Sequence, residues 1–195
     1  MEGKQEGPTV VVVGGGIIGC STAMQLATRN AKVILIERCE IACAASGKAG
    51  GFLAREWGSG PTVQLHRKSF DMHKALAKEH KIASFRELPT LSVKTMGRLM
   101  KGATKKCEWL DGHVSSVGMM DPSTAQVTPK EISKLFAKIA TENGAEIIKA
   151  AVSGVARADG CVTSVKLENG KEIKGDSFVF CMGPWTVTNS INIRK

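Results

Sequence analysis

Apolar residues along this chain come in two patterns: short unbroken runs rich in β-branched residues, and longer stretches at helical spacing. Thr9-Val10-Val11-Val12-Val13, Val33-Ile34-Leu35-Ile36-Glu37 and Asp176-Ser177-Phe178-Val179-Phe180 are of the first kind. They are too short for buried helices and predict parallel strands covered on both faces. Between the first two, residues 17–30 place the small side chains of Cys20, Ala23 and Ala27 at helical spacing, so a helix can lie close against the sheet, with Asn30 as terminator. Thr128-Pro129-Lys130-Glu131 predicts a second helix start, with a Thr cap, Pro at the first helical position and Glu placed to close a capping box. Ile132, Leu135, Phe136, Ile139 and Ala140 then form its apolar face, Asn143-Gly144 ends it, and residues 145–148 return as a strand.

Three further segments are less regular. Pro61-Thr62 opens a helix to about His80, with Leu65, Ser69, Met72 and Leu76 on one face and Arg67, Lys68, Lys74 and Lys78 mostly off it. Residues 86–120 alternate weakly at Leu91-Ser92-Val93-Lys94 and carry glycines at 97, 102, 112 and 118, which predicts the start of a second, inserted sheet. Val152 to Val155, Val162 to Leu167 and Glu172-Ile173 read as short strands split by the hairpin turns Ala158-Asp159-Gly160 and Glu168-Asn169-Gly170. Strands thus alternate with helices, and the fold class is α/β, with a parallel sheet and a β-meander.

At 195 residues the chain suits one domain or a domain with a modest insertion. The net charge of +9 invites an anionic partner. Aromatics are only 5% with no Tyr, however, and the densest basic groups, Arg67-Lys68 and Lys101 with Lys105-Lys106, read as solvated faces, so nucleic acid is not expected. Cys20, Cys39, Cys43, Cys107, Cys161 and Cys181 form no Cys-x-x-Cys pair, which favours a reducing compartment. Residues 38–45 are a short helix or a loop. If helical, they put Cys39 and Cys43 one turn apart, as two plain thiols or as an oxidant-responsive pair. His66, His73 and His80 share a helical stripe, but no carboxylate or fourth ligand is spaced to complete a site, so surface histidines and no metal are expected. The polar N-terminus lacks the apolar core of a signal peptide, no stretch approaches the roughly 18 apolar residues of a membrane span, and Asn-Ile-Arg-Lys at the C-terminus matches no retention or peroxisomal address. A soluble cytoplasmic protein with no membrane span is the expectation.

Candidate chemistry concentrates where the first strand meets the first helix. Gly14-Gly15-Gly16-Ile17-Ile18-Gly19 sits between them, and the acid Glu37 follows about 20 residues on, the context required of a dinucleotide fingerprint. Gly14 makes the turn, Gly16 lets backbone approach a pyrophosphate and Gly19 lets helix and strand pack closely. The helix start at Ile17 and Ile18 offers N–H groups and partial positive charge to phosphates. Glu37, with Arg38 beside it, can accept both hydroxyls of an adenosine ribose and would repel a 2′-phosphate, which disfavours NADP. FAD and NAD are not separated by this unit alone. Ser46-Gly47-Lys48-Ala49-Gly50-Gly51 surrounds one lysine with three glycines and is either a second phosphate-approaching loop or a linker.

The fingerprint with Glu37, followed by this Ser-Gly-basic-Ala-Gly-Gly loop, resembles the D-amino-acid oxidase-like FAD-dependent oxidoreductases. The resemblance implies a Rossmann-like FAD/NAD(P)-binding fold with part of an inserted substrate-domain sheet. It implies that Ser46, Gly47, Lys48, Gly50 and Gly51 run beneath the flavin, with Lys48 near the ring as the catalytic candidate stabilising reduced flavin. No covalent flavin link is implied, because the first histidine, His66, lies outside the loop. Residues 176–185 resemble the family's strand followed by small-x-Gly-x-Trp, making Gly183 and Trp185 cofactor contacts, and the stretch around Val152, helical on this view, gives a backbone contact to adenine. The domains implied are an FAD-binding first part (8–85), a partial substrate-domain insertion (86–127), an FAD-binding second part (128–190) and a truncated end (191–195).

In the family, residues after the Trp complete the substrate sheet and grip the substrate carboxylate. A chain stopping at Lys195 is therefore expected to be a fragment, a short form, or one that relies on a homo-oligomer or partner chain to cover an exposed sheet edge. The function implied by resemblance is oxidation of a small amine or amino acid by hydride transfer to FAD. The alternatives are an NAD-binding dehydrogenase and a non-catalytic nucleotide-binding remnant.

Overall fold

A computed structural model describes residues 7–94 and 114–187. In chain order its elements are β1 (Thr9–Val13), α1 (Ile17–Ala27), β2 (Lys32–Glu37), β3 (Phe52–Leu53), α2 (Val63–Glu79), β4 (Arg86–Lys94), β5 (Ser116–Gln126), α3 (Pro129–Glu142), β6 (Glu146–Lys149), β7 (Val152–Ala158), β8 (Cys161–Leu167), β9 (Glu172–Lys174) and β10 (Ser177–Phe180). Short 3-10 turns lie at Ala45–Gly47 and Gly183–Val187. The chain divides into two compact units, Met1–Gly50 with Pro129–Lys195, and Gly51–Thr128.

The unbroken apolar runs of the first unit become a sheet of order β10-β1-β2-β6, parallel at each pairing. Such a sheet must be covered on both faces, and Val10, Val11, Val12 and Val13 are all buried. On one face Val11, Val13 and Ile36 cluster with Val165, Leu167 and Ile173 from the antiparallel meander β7-β8-β9. The other face meets α1, whose Cys20, Ala23 and Ala27 are buried and which packs on α3. Close packing makes even one methyl matter. Ile36→Val is expected to cost about 0.5–1.5 kcal/mol, read from the urea midpoint, and an unchanged midpoint would contradict this core assignment.

Element ends follow the turn chemistry. α1 stops at Ala27, three residues short of the expected end, and Asn30 takes the left-handed conformation (φ 63°) that turns the chain into β2. α3 keeps Ile132, Phe136, Ile139 and Ala140 buried, adds Ser133 and Ala137, and leaves Leu135 half-buried. The meander turns occur as read, with left-handed residues at Asp159, Gly160 and Gly170.

The second unit carries the antiparallel sheet β3-β5-β4 and α2. β3 pairs with β5, and residues 51–85 cluster with this sheet. The face expected for α2 is also corrected: Leu65 and Met72 are exposed, while Phe70 and Ala77 are buried. His66, His73 and His80 are each partly exposed. A Cβ at Gly58 would lie 2.1 Å from the His66 ring, so this histidine packs against backbone. Glycines 97, 102 and 112, Lys101, Lys105, Lys106 and Cys107 lie outside the described residues. No described helix is long and apolar enough to cross a membrane.

Buried Asp121 organises an irregular stretch of β5. Its Oδ1 accepts from the Ser123 hydroxyl and amide at 2.6 and 2.7 Å, and these donors hold its carboxyl below the usual carboxylate range. A lowered folded-state value stabilises fully above the unfolded value of about 3.9 and ceases to as pH falls through the folded one. Asp121→Asn is therefore expected to flatten part of the acid limb of a melting-temperature profile below about pH 4, and an unaltered acid limb would contradict it.

Candidate functional site

The site is built where β1 runs into α1. Gly14 has φ 111°, which an L side chain rarely adopts, and a Cβ there would lie 2.4 Å from the Cys181 carbonyl oxygen. Its amide donates to the Ile36 carbonyl at 2.8 Å, so the turn is wedged between the ends of β2 and β10. Gly19 faces back onto the same turn, and a Cβ on it would sit 1.8 Å from the Gly14 carbonyl oxygen. The N-cap residue of α1 is Gly16, with no side chain to cap the helix, and no acid lies in the first turn. The Ile17 amide donates instead to Ser46 Oγ at 3.0 Å. The positive end of the helix dipole is therefore met by a neutral hydroxyl from a neighbouring loop.

Glu37 reaches beneath this turn. A Cβ on Gly15 would lie 2.9 Å from both Cβ and Cγ of Glu37, so only glycine admits the acid there. The Gly15 amide donates to Glu37 Oε2 at 2.6 Å and the Cys39 amide to Oε1 at 2.9 Å, while Cys43 Sγ lies 3.9 Å from Oε1. Residues 38–43 form bends and a turn, so the helical option for Cys39 and Cys43 is not taken up. The Cys20 thiol donates to the Gly15 carbonyl at 3.4 Å, and burial pushes its pKa up to about 12, which leaves it a neutral packing group. Cys181 is raised in the same direction by burial.

These groups open onto a cavity of about 330 Å³ at the carboxyl ends of β1, β2 and β10, where ligands bind in open parallel sheets. Of the residues singled out in the sequence, Gly14, Gly16, Glu37, Arg38, Ser46, Val152, Gly183 and Trp185 line it. The Arg38 guanidinium stacks 4.2 Å from the Trp185 ring centroid. Ile17, Ile18, Gly19, Gly47, Lys48 and Gly50 do not line it, and Gly51 belongs to the second unit. Ile18 is 69% exposed and Lys48 is exposed, whereas Gly19 and Gly47 work through backbone packing, a Cβ on Gly47 lying 2.0 Å from the Ala42 carbonyl oxygen.

Val152 begins strand β7, paired with Leu167, which corrects the helical reading of this stretch. Sequence reasoning missed Gly15, the loop Ala150-Ala151 with Ser153, and Glu168. They reach the cavity because the Ala150 amide is pinned to the Glu37 carbonyl and the Glu168 amide to the Ala151 carbonyl, both at 2.9 Å. For Gly15, Ala150 and Ala151 the available signal was a position just past a strand of the parallel sheet, whereas Ser153 and Glu168 belong to the antiparallel meander and carried none.

A parallel sheet, a glycine turn feeding an uncapped helix and an acid at the tip of the adjacent strand together define a Rossmann-type dinucleotide-binding protein. The chain belongs to the DAO family of FAD dependent oxidoreductases, whose model matches residues 9–193. FAD is accordingly the cofactor, a choice the fingerprint had left open against NAD. A Schizosaccharomyces pombe protein provisionally named an oxidoreductase is 32% identical over 126 residues, covering 60% of this chain and 31% of its own length. The Saccharomyces cerevisiae protein TDA3, also provisionally named an oxidoreductase, is 39% identical over 101 residues, covering 47% of this chain and 18% of its own length. The chain thus spans under a third of these relatives. Glycine oxidase from Bacillus cereus shares the fold at a TM-score of 0.80 and 24% identity, covering 92% of this chain and 56% of its own.

The residues present fit the adenosine diphosphate half of FAD. A Cβ on Gly16 would lie 3.0 Å from Ser46 Oγ, at the helix mouth where a phosphate oxygen must approach. A carboxylate offers about four acceptor sites, and the three contacts to Glu37 leave one for a ribose hydroxyl.

Proposed function

We propose that this chain holds FAD and serves the oxidation of a small amine or amino acid. The observation that carries the reading is the convergence of Gly14, Gly16, Glu37 and Ser46 on one cavity in a member of this family. When bound, FAD supplies the two-electron acceptor. The amides at the start of α1 and the Ser46 hydroxyl hold the pyrophosphate, Glu37 holds the adenosine ribose, and Gly183 lets backbone approach the dinucleotide. Arg38 and Trp185 flank the adenosine end as one stacked pair. Lys48 is assigned to the flavin ring by resemblance, as an electrostatic stabiliser of its reduced form. The resemblance to amino-acid oxidases and the fold shared with a glycine oxidase support an amine or amino-acid substrate. Ile147, on the described edge strand β6, is 39% exposed and marks where a second copy or partner chain would cover the sheet.

The test is an absorption spectrum of the purified chain after incubation with FAD and gel filtration. Flavin bands eluting with the protein are expected. A colourless protein that ignores FAD yet retains NAD would overturn the reading.

A further inference from the structure

The loop after β2 brings together three ligands that linear spacing does not advertise. One ligand atom each from Glu37, Cys39 and Cys43 lies within 4.8 Å of the other two. Tetrahedral zinc, with thiolates at about 2.3 Å and a carboxylate oxygen at about 2.0–2.2 Å, needs its ligand atoms only about 3.5–3.8 Å apart. The 3.9 Å separation of Glu37 Oε1 from Cys43 Sγ already approaches that figure. The loop is held in place before any ion arrives. The Cys39 amide is tied to the Glu37 carboxylate at 2.9 Å, the Ala42 amide donates to the Gly15 carbonyl at 2.9 Å, and Ala42 sits in the left-handed region at φ 57°. Cys39 is exposed and Cys43 half-buried, so an ion can enter from solvent and keep a water as fourth ligand.

From this geometry we propose that Glu37, Cys39 and Cys43 form a binding site for a thiophilic divalent cation of the zinc class, and that its occupancy excludes the adenosine end of the nucleotide. Two soft sulfurs with one oxygen select zinc or cadmium over magnesium or calcium, whose preferred ligands are oxygens. On binding, each thiol loses its proton to solvent and each sulfur forms one bond to the ion. The exclusion rests on the reading of Glu37 as the ribose acceptor, because the ion neutralises the carboxylate and, with its water, occupies the part of the cavity lined by Glu37 and Cys43. The ion is then an antagonist of cofactor loading and plays no part in the oxidation.

Cadmium serves as the probe. The reduced full chain, free of nucleotide, is titrated with Cd²⁺ and followed by thiolate-to-cadmium charge-transfer absorption. Saturation at one equivalent is expected, with the signal lost in Cys39→Ser and in Cys43→Ser, affinity at least about tenfold weaker in Glu37→Gln, and Cys161→Ser unchanged. In the unmutated chain, Zn²⁺ should shield Cys39 and Cys43 together from iodoacetamide, a readout that does not depend on a variant folding. A signal that survives the double replacement of Cys39 and Cys43, or alkylation of both thiols undiminished by Zn²⁺, would overturn the site. ADP affinity is measured on the metal-free chain and again with Zn²⁺ at saturation, where it should fall at least about tenfold. ADP binding equally well in both overturns the exclusion. ADP failing to bind the metal-free chain overturns the nucleotide reading, while the cadmium titration still decides the site.

Discussion

Gly19→Val is expected to cost the chain at least about 3 kcal/mol of folding stability and to abolish FAD retention with it. The reason is the distance between the α1 backbone and the turn before it. A Cβ on residue 19 would lie 1.8 Å from the Gly14 carbonyl oxygen and 3.0 Å from its carbon, and both are backbone atoms that cannot rotate away. Relief requires either the helix to lift from the sheet or the Gly14 turn to move. Lifting α1 uncovers Cys20 and Ala23, both fully buried, and loosens its packing on α3. Moving the turn breaks the Gly14 amide's bond to the Ile36 carbonyl and drives residue 14 toward the Cys181 carbonyl. A total stability of about 5–15 kcal/mol leaves little margin for either. Gly144→Ala is the contrast: it meets no atom within 4 Å, and its penalty comes only from its φ of 89°. Equilibrium unfolding in urea separates the two, and a Gly19→Val loss smaller than that of Gly144→Ala would refute close helix–turn packing as the reason for glycine at 19.

Glu37→Gln should leave the fold standing and weaken FAD binding about 10–150-fold, the equivalent of about 1.5–3 kcal/mol for one hydrogen bond to a charged group. The substitution keeps the side chain's length, so the narrow space beside Gly15 still admits it. It replaces one acceptor oxygen with an NH₂, which then faces an amide donor, either that of Gly15 or that of Cys39. Both the charge offered to the ribose and one tie of the loop are lost together. Fluorescence titration of FAD gives the affinity, and circular dichroism shows that the protein remains folded. Binding within twofold of the unmutated chain would remove Glu37 from the site.

These two residues were legible in the sequence because each has a local signature. Glycine at a fixed offset from a β-branched run, and an acid ending the next run, are features of spacing that survive whatever the rest of the chain does. The same holds for β1, β2 and α3, where burial on both faces or a cap and a stop mark the ends. α2 was misread because apolar residues lie on more than one of its stripes. Leu65 and Met72 compete with Phe70 and Ala77 at equally good helical spacing, and the choice depends on which stripe finds a covering surface. Ala150 and Glu168 are held at the cavity by hydrogen bonds to Glu37 and Ala151, residues far away in sequence, so no local pattern carries them. The fingerprint assigns Gly15 no role of its own, although its missing side chain is what lets Glu37 pass beneath the turn.

The bond from the Ile17 amide to Ser46 Oγ bears on how the helix mouth would take up a phosphate. A bare amide at a helix mouth would favour any passing anion, whereas this one already has a modest neutral companion. Arrival of a diphosphate is then an exchange of acceptors, in which a side-chain rotation gives way to a stronger, charged guest. The Ser46 hydroxyl, once rotated from the Ile17 amide, would stay within reach of the helix mouth and could donate to a phosphate oxygen there.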